Sequence, residues 1–157
     1  MPGIWLQDGE KGSERMKKRE YPSIPLVGVG ALVLKEDEVL LIKRGKPPLQ
    51  GSWSLPGGRC REDENLKEAA RREVKEECGV DVDVTDLLKL FEYIEHDDKG
   101  GVKYHYVVFD FKAYYKRGRL EHSSDASDAR WIPLLQLGLY ELSDAVWEVV
   151  RAAQRGL

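Results

Sequence analysis

The sequence predicts a single domain of the α+β class. At 157 residues the chain is long enough for one domain with a buried core. Residues 65–78 have the apolar periodicity of an amphipathic helix, and a second helix is indicated near the C terminus. The other apolar segments are short and rich in β-branched and aromatic residues, and they do not alternate regularly with helices. This mixture of strands and helices is typical of α+β folds.

The start of the chain predicts a polar arm followed by two strands. Residues 1–20 are rich in Gly, Lys and Glu, so we expect a flexible N-terminal arm ahead of one folded domain at 21–157. The apolar run 27–34 is typical of a buried strand. A charged turn at 35–38 leads into a returning strand at 39–43.

The helix at 65–78 has clear start and stop signals. Asn65, with Glu68 three residues later, has the spacing of a capping box. Gly79 suits the left-handed position at which many helices end. Strong helix formers fill the interior, so the helix is predicted by its ends and its composition alike.

The second half of the chain predicts further strands and a last helix. We expect strands at 80–84, 87–94, 103–116 and 130–132. A turn at 95–101 separates the second strand from the third, and a polar loop at 117–129 precedes the last strand. Ser143 is the expected N-cap of the final helix.

The helix at 65–78 carries three carboxylates on a face that should be buried. Its apolar side chains share one broad face: Leu66, Ala69, Ala70 and Val74. Glu73, Glu76 and Glu77 fall on that same face. Clustered carboxylates repel unless a cation lies among them, and oxygen ligands of this kind suit Mg²⁺ or Mn²⁺. Three acids alone would still favour an ordinary solvated helix.

A glycine-rich segment in front of the helix shifts that balance toward a binding site. Gly57 and Gly58 allow backbone conformations and close approaches that other residues resist. A backbone carbonyl there could join a metal site, and the amide groups could contact phosphate oxygens.

These residues together resemble the signature of the Nudix hydrolases. Every defining position of that signature is occupied, and it reads Gly58-x5-Glu64-x7-Arg72-Glu73-Val74-x-Glu76-Glu77-x-Gly79-Val80. The resemblance extends from about Pro25 to Leu135. The chain departs from the usual pattern at Arg61, where Glu is common, and at Asp63, where Gly is common. The resemblance implies a mixed β-sheet sandwiched between α-helices.

The resemblance also implies a set of site residues. The implied metal ligands for Mg²⁺ or Mn²⁺ are Glu73, Glu76, Glu77 and the Gly57 carbonyl. The implied catalytic residues are Glu76, Glu77, Arg72 and Asp125, and the candidate substrate contacts are Gly58, Arg44 and Glu64. For Arg44 the sequence alone favours a solvated surface position over a phosphate contact. The general base stays open between a signature glutamate and Asp125. Asp125 and the nearby Asp128 could equally be turn-forming residues of a polar loop.

The implied activity is hydrolysis of a nucleoside diphosphate linked to another moiety. The closest likeness within the family is to small ADP-ribose pyrophosphatases, which release AMP and ribose 5-phosphate. A proline that often accompanies that subgroup is replaced by residues 95–97. One alternative is a nucleoside triphosphate pyrophosphohydrolase that removes oxidised nucleotides of the 8-oxo-dGTP type. Another is a non-catalytic nucleotide-sensing module, which the complete set of signature glutamates disfavours.

Composition limits the partners and the location. The net charge of −3 and the lack of a basic tract argue against nucleic acid as a partner. The first 20 residues lack the apolar segment of a signal peptide, and no apolar run is long enough to span a membrane. We therefore expect a cytoplasmic enzyme with free thiols at Cys60 and Cys78. Trp5 could dock on a second subunit, which leaves a homodimer open.

Overall fold

The computed structural model describes residues 20–45 and 50–156, so the predictions for Trp5 and the rest of residues 1–19 lie outside the described residues. Within these ranges the α+β class is confirmed. The elements in chain order are β1 Leu26–Lys35, β2 Glu38–Arg44, β3 Trp53–Ser54, β4 Gly57–Arg59, α1 Leu66–Cys78, β5 Asp81–His96, β6 Val102–Arg117, β7 Ala126–Pro133, a 3₁₀ helix Leu134–Leu139 and α2 Asp144–Arg155.

The strands form one mixed sheet, as the family resemblance implies. Its main path runs β3-β2-β1-β6-β5, with β4 added to β1 and β7 added to β2. β1 and β6 pair in parallel, whereas the other pairs are antiparallel. Because β1 pairs with β4 along one half and with β2 along the other, it brings β4 into the middle of the fold.

The two α-helices cover opposite faces of this sheet. Alternate residues of β1 pack with α1 in one apolar cluster, which includes Val29, Ala31, Val33, Ala69, Ala70 and Val74. The opposite face packs with α2 in a second cluster, which includes Leu32, Val39, Leu41, Val146, Val149 and Val150. Each fully buried Val or Leu contributes about 1.5–3 kcal/mol through the hydrophobic effect. Residues of the sheet can therefore be assigned to an α1 face or an α2 face.

Both predicted ends of α1 are confirmed. The Asn65 side chain accepts a hydrogen bond from the Glu68 backbone N–H at 3.0 Å. Gly79 has φ 76°, and its N–H donates to the Lys75 carbonyl at 2.9 Å. A residue with a Cβ would be strained at this φ, so the helix ends where the glycine stands.

Two strand predictions were wrong, and two short strands were not predicted. The segments 80–84 and 87–94 form one strand, because β5 continues through a register shift between Val84 and Leu87. The polar residues inside that irregular stretch interrupt the alternation of the sequence without ending the strand. β7 begins at Ala126, so the polar loop is shorter than predicted and Asp128 lies in a strand. The short strands β3 and β4 were missed.

Candidate active site

Gly58 of β4 lies directly against the middle of α1. A Cβ built on Gly58 would lie 2.5 Å and 2.6 Å from the two carboxylate oxygens of Glu73. Glu73 is buried, with 6% of its surface exposed. The missing side chain of Gly58 therefore provides the space that the Glu73 carboxylate occupies. Gly58 is not among the residues with positive φ, so space and not backbone freedom requires glycine here.

The free edge of β4 faces the C-terminal half of α1. Gly57 lies opposite Gly30 of β1. The neighbouring inter-strand bond runs from the Ala31 N–H to the Pro56 carbonyl at 3.0 Å. In this antiparallel pattern the N–H and the carbonyl of Gly57 both point away from β1. The Gly57 N–H donates to Glu77 Oε1 at 3.2 Å, so the Gly57 carbonyl and the Glu77 carboxylate share one edge.

Arg72 links the loop after β4 to the carboxylates of α1. Its Nε and one terminal nitrogen donate to the two oxygens of Glu64 at 2.6 Å and 2.8 Å. The other terminal nitrogen donates to Glu73 at 2.7 Å and to Glu76 at 3.2 Å. The Arg59 carbonyl accepts the remaining bond at 3.0 Å. All five N–H donors of the guanidinium are thus satisfied, which fixes the relative positions of these groups.

The ion pair between Arg72 and Glu64 is largely shielded from solvent. The two side chains are 17% and 13% exposed. The hydrogen bonds from Arg72 hold the pKa of Glu64 below its usual value, although burial acts in the opposite direction. The same bonds raise the pKa of the Arg72 guanidinium. Both groups stay charged at neutral pH. Glu64, in the loop between β4 and α1, fixes the position of the Arg72 guanidinium.

The three helix carboxylates differ in exposure, which corrects the prediction that all three continue the buried face. Glu73 is buried and Glu77 is half-buried, but Glu76 is exposed. Glu76 pairs with Arg72 at the predicted i, i+4 spacing and lies 3.6 Å from the guanidinium of Arg61. The basic residue that replaces the usual glutamate at Arg61 therefore adds a positive charge at the rim of the cluster.

The loop before β7 lies on the C-terminal end of α1. The Ser123 N–H donates to the Glu77 carbonyl at 3.0 Å, and the Glu121 N–H donates to the Cys78 carbonyl at 2.9 Å. These bonds satisfy carbonyl groups that a helix end leaves without partners. Asp125 follows Ser123 by two residues, so the backbone of Asp125 is held close to the end of the carboxylate helix.

Arg44 lies at the other side of this loop. It pairs with Ala126 across β2 and β7, and the N–H of Gly45 donates to the Asp125 carbonyl at 3.2 Å. Arg44 is 7% exposed, so it is a buried residue and not part of a solvated surface. The structure thus brings Arg44 and Asp125 together beside the end of α1.

The family resemblance implies a divalent cation near the carboxylates of α1. In the described part of the chain, no three carboxylate, imidazole or thiol groups are gathered closely enough to form a ready metal site. The reason is visible in the contacts, since Arg72 holds Glu73 and Glu76 while Gly57 holds Glu77. The donor types nevertheless fit Mg²⁺ or Mn²⁺, because these ions prefer carboxylate and carbonyl oxygens, and those of Glu77 and Gly57 share one edge of β4.

Sequence reasoning missed two features of this region and one carboxyl beyond it. The Arg59 carbonyl as a partner of Arg72, and Arg61 as a partner of Glu76, depend on how the loop folds back over α1. Asp110 of β6 is buried on the α2 face, where Gly30 lies beside it. An acid between two aromatic residues in a long strand was the available signal for Asp110.

Two general expectations concern the rest of the described residues. Cys60 is half-buried and Cys78 is buried, and both are free thiols. Burial raises the pKa of each thiol, so both are poor nucleophiles at neutral pH.

Within residues 20–45 and 50–156, none of the helices is long and apolar enough to cross a membrane.

Comparison with known proteins identifies the family. The model of the NUDIX domain matches residues 25–153. The chain is 33% identical over 122 residues to the ADP-ribose pyrophosphatase of Methanocaldococcus jannaschii, covering 78% of this chain and 70% of that protein. It is 35% identical over 115 residues to the 8-oxo-dGDP phosphatase NUDT18 of Homo sapiens, covering 71% of this chain and 33% of that protein.

A solved structure agrees with this assignment. The crystal structure of the MutT NUDIX hydrolase from Burkholderia pseudomallei has a TM-score of 0.70 and 29% identity, and the match covers 83% of this chain and 98% of that chain. The residues that the family model matches include all of β4 and α1. The chain therefore belongs to the Nudix hydrolases, pyrophosphohydrolases that act on phosphoric anhydride bonds.

Proposed function

We propose that the chain hydrolyses ADP-ribose to AMP and ribose 5-phosphate in the presence of Mg²⁺ or Mn²⁺. The observation that carries this proposal is that Arg72 holds Glu73 and Glu76 on one helix, while Glu77 of the same helix accepts a hydrogen bond at the Gly57 edge. The substrate assignment is supported by the relative from Methanocaldococcus jannaschii, which is named an ADP-ribose pyrophosphatase.

The cation would be held by Glu73, Glu76, Glu77 and the Gly57 carbonyl. A bound divalent ion supplies charge neutralisation for the diphosphate and polarises a water molecule. The Gly57 N–H lies at the free edge of β4, where the diphosphate of the substrate would also lie. The backbone N–H and carbonyl of Gly58 point instead to Val29 of β1, so Gly58 provides space for Glu73 and no phosphate contact. Arg44 is a candidate phosphate contact on the far side of Asp125.

The protein groups of the site divide into supports and proton carriers. Arg72 would position Glu73 and Glu76, while Glu64 would keep Arg72 in place through two hydrogen bonds. We assign the role of general base to Asp125 or to a signature glutamate. Asp125 is supported by its place on the loop that caps α1, because a base must reach the water that attacks the diphosphate.

A second substrate class is favoured by one specific finding. The human relative at 35% identity is named an 8-oxo-dGDP phosphatase, so an oxidised nucleotide is the alternative substrate. The products distinguish these reactions, because 8-oxo-dGDP would release 8-oxo-dGMP and phosphate, whereas 8-oxo-dGTP would release 8-oxo-dGMP and pyrophosphate. ADP-ribose releases AMP and a sugar phosphate instead.

A substrate panel separates these proposals. Wild-type protein is incubated with ADP-ribose, 8-oxo-dGTP and 8-oxo-dGDP at saturating Mg²⁺ or Mn²⁺, and the products are identified by chromatography. We expect AMP and ribose 5-phosphate from ADP-ribose, at a higher kcat/KM than for the oxidised nucleotides. Untouched ADP-ribose together with efficient cleavage of an oxidised nucleotide would transfer the assignment to the second class.

A further inference from the structure

Asp110 of β6 is a buried carboxyl to which the described residues offer neither a hydrogen-bond donor nor a cation. It is 7% exposed, and it has no hydrogen-bond or ion-pair partner among residues 20–45 and 50–156. Burial raises the pKa of its carboxyl to about 7. An unpaired buried carboxyl opposes folding, and such groups occur disproportionately where a ligand supplies the missing partner.

The fold makes room for this carboxyl at Gly30. The two residues lie side by side in the parallel register of β1 and β6. A Cβ on Gly30 would collide with Asp110 Oδ1 and lie 3.4 Å from Asp110 Cγ. The same Cβ position lies 3.6 Å from the Pro56 carbonyl. The carboxyl of Asp110 therefore leans across the backbone of β1 in the direction of β4.

This direction leads to the edge at which the candidate active site lies. Gly57, Gly30 and Asp110 form one row across β4, β1 and β6. Neighbouring strands are about 4.8 Å apart. Because the carboxyl lies over the middle strand, it is roughly one strand spacing, about 5 Å, from the backbone of Gly57.

Asp110 keeps a small contact with solvent, since 7% of its surface is exposed. A small molecule could therefore reach this residue from outside.

The basic side chains nearest to Asp110 are directed elsewhere. Lys89 lies opposite Asp110 in the register of β5 and β6, but its ammonium lies 3.6 Å from Glu148 of α2. Lys112, two residues further along β6, is buried with its ammonium 5.3 Å from the centre of the Tyr114 ring. Neither cation neutralises the carboxyl, so its natural partner is a hydrogen-bond donor from outside the protein.

We propose that Asp110 is a specificity-determining residue that accepts a hydrogen bond from the nucleoside half of the substrate. The donor is a ribose hydroxyl or an N–H group of the base. The inference rests on the proposed function, because it places the diphosphate at the Gly57 edge and the nucleoside over β1. Asp110 takes no part in bond breaking, so it should govern substrate affinity more than turnover.

Calorimetry with an uncleavable ligand tests this assignment. The ligand is the α,β-methylene analogue of ADP-ribose with Mg²⁺, together with one form that lacks the adenosine ribose hydroxyls and one that lacks the adenine amino group. Wild type, Asp110→Asn and the control Asp86→Asn, an exposed aspartate of β5, are compared. We expect the Asp110 variant to bind the full analogue about 10-fold more weakly, because the amide oxygen of Asn is a neutral acceptor in place of a charged one.

The modified ligands distinguish the two donors and do not depend on the variant folding. If a ribose hydroxyl is the donor, wild type should lose affinity for the deoxygenated analogue, and Asp110→Asn, whose neutral amide oxygen is a weaker acceptor, should discriminate less between the two. If the base is the donor, wild type should instead lose affinity for the analogue without the adenine amino group, and Asp110→Asn should lose less. Wild type that binds all three ligands equally overturns the inference. Failure to hydrolyse any nucleoside diphosphate derivative would defeat the proposed function, whereas normal turnover with equal affinities in wild type and Asp110→Asn would defeat this inference alone.

Discussion

Replacing Asp110 by Asn should stabilise the folded protein, and the gain should depend on pH. Asn has nearly the same shape as Asp but cannot ionise, so the change removes a buried charge without creating a cavity. Burial raises the pKa of Asp110 from 3.8 to about 7. At about 1.4 kcal/mol for each pKa unit, ionised Asp110 opposes folding by up to about 4 kcal/mol.

The sign of the pH dependence follows from proton binding. Unfolded chains lose the Asp110 proton near pH 3.8, whereas the folded protein keeps it until about pH 7. Between these values the folded state binds more protons than the unfolded state, so its stability falls as pH rises. The advantage of Asp110→Asn should be near zero at about pH 4, grow with pH, and level off above about pH 7.

Thermal or urea unfolding in EDTA at several pH values measures this difference. For a chain of this length about 1 kcal/mol corresponds to roughly 2–4 °C in Tm, so the gain at pH 8 should reach about 8–16 °C. Asp86→Asn, at an exposed position of the neighbouring strand, should show no such trend. A wild type that is as stable as Asp110→Asn at pH 8 would refute the claim that the carboxyl is buried without a partner.

The remaining predictions concern the candidate active site. Glu77→Gln should lower kcat by about 100-fold or more at saturating Mg²⁺, because a metal ligand is lost, and it should leave the fold intact. Gly58→Ala should lower kcat/KM by about 10–100-fold, because its Cβ would displace the buried carboxylate that lies 2.5–2.6 Å away. Asp125→Asn should lower kcat by about 100-fold while KM changes less, because a general base acts on the chemical step.

Matched variants give each of these changes a control. Glu68→Gln alters an exposed acid of the same helix, and it should retain wild-type turnover. Gly138→Ala adds a Cβ at a glycine with nothing within 4 Å, so it should be silent in activity and in melting. Wild-type kcat in Glu77→Gln contradicts the metal assignment. Unchanged kcat with a lowered Tm in Asp125→Asn returns the role of base to the signature glutamates.

Local signals predicted the carboxylate helix well because they act within one turn of chain. Asn65 and Gly79 satisfy the backbone groups at the two ends of α1, and these requirements do not depend on the rest of the fold. The long strand β5 was harder to predict, since a register shift after Val84 interrupts its alternation. Cross-strand pairing sets the length of such a strand, and pairing partners cannot be read from a single segment.

The candidate site shows the same division between local and distant information. The i, i+4 spacing was enough to predict that Arg72 contacts Glu76. It could not show that Arg72 also donates two hydrogen bonds, at 2.6 Å and 2.8 Å, to Glu64, eight residues away in a loop. Nor could helical periodicity show that Glu76 is exposed, because the neighbours of a helix face belong to other segments.

The glycines around the site are explained by space and not by turns. Gly58 and Gly30 lie in adjacent strands, and neither is among the described residues with positive φ. On the α1 face, the absent side chain of Gly58 admits the carboxylate of Glu73, which Arg72 neutralises. On the α2 face, the absent side chain of Gly30 admits the carboxyl of Asp110, for which the described residues provide no cation. An absent glycine side chain thus makes room for a buried acid on each face of this pair of strands. Of the two acids, Asp110 still lacks a partner among the described residues. A ligand that extends from the edge of β4 onto the α2 face would supply the partner that Asp110 lacks.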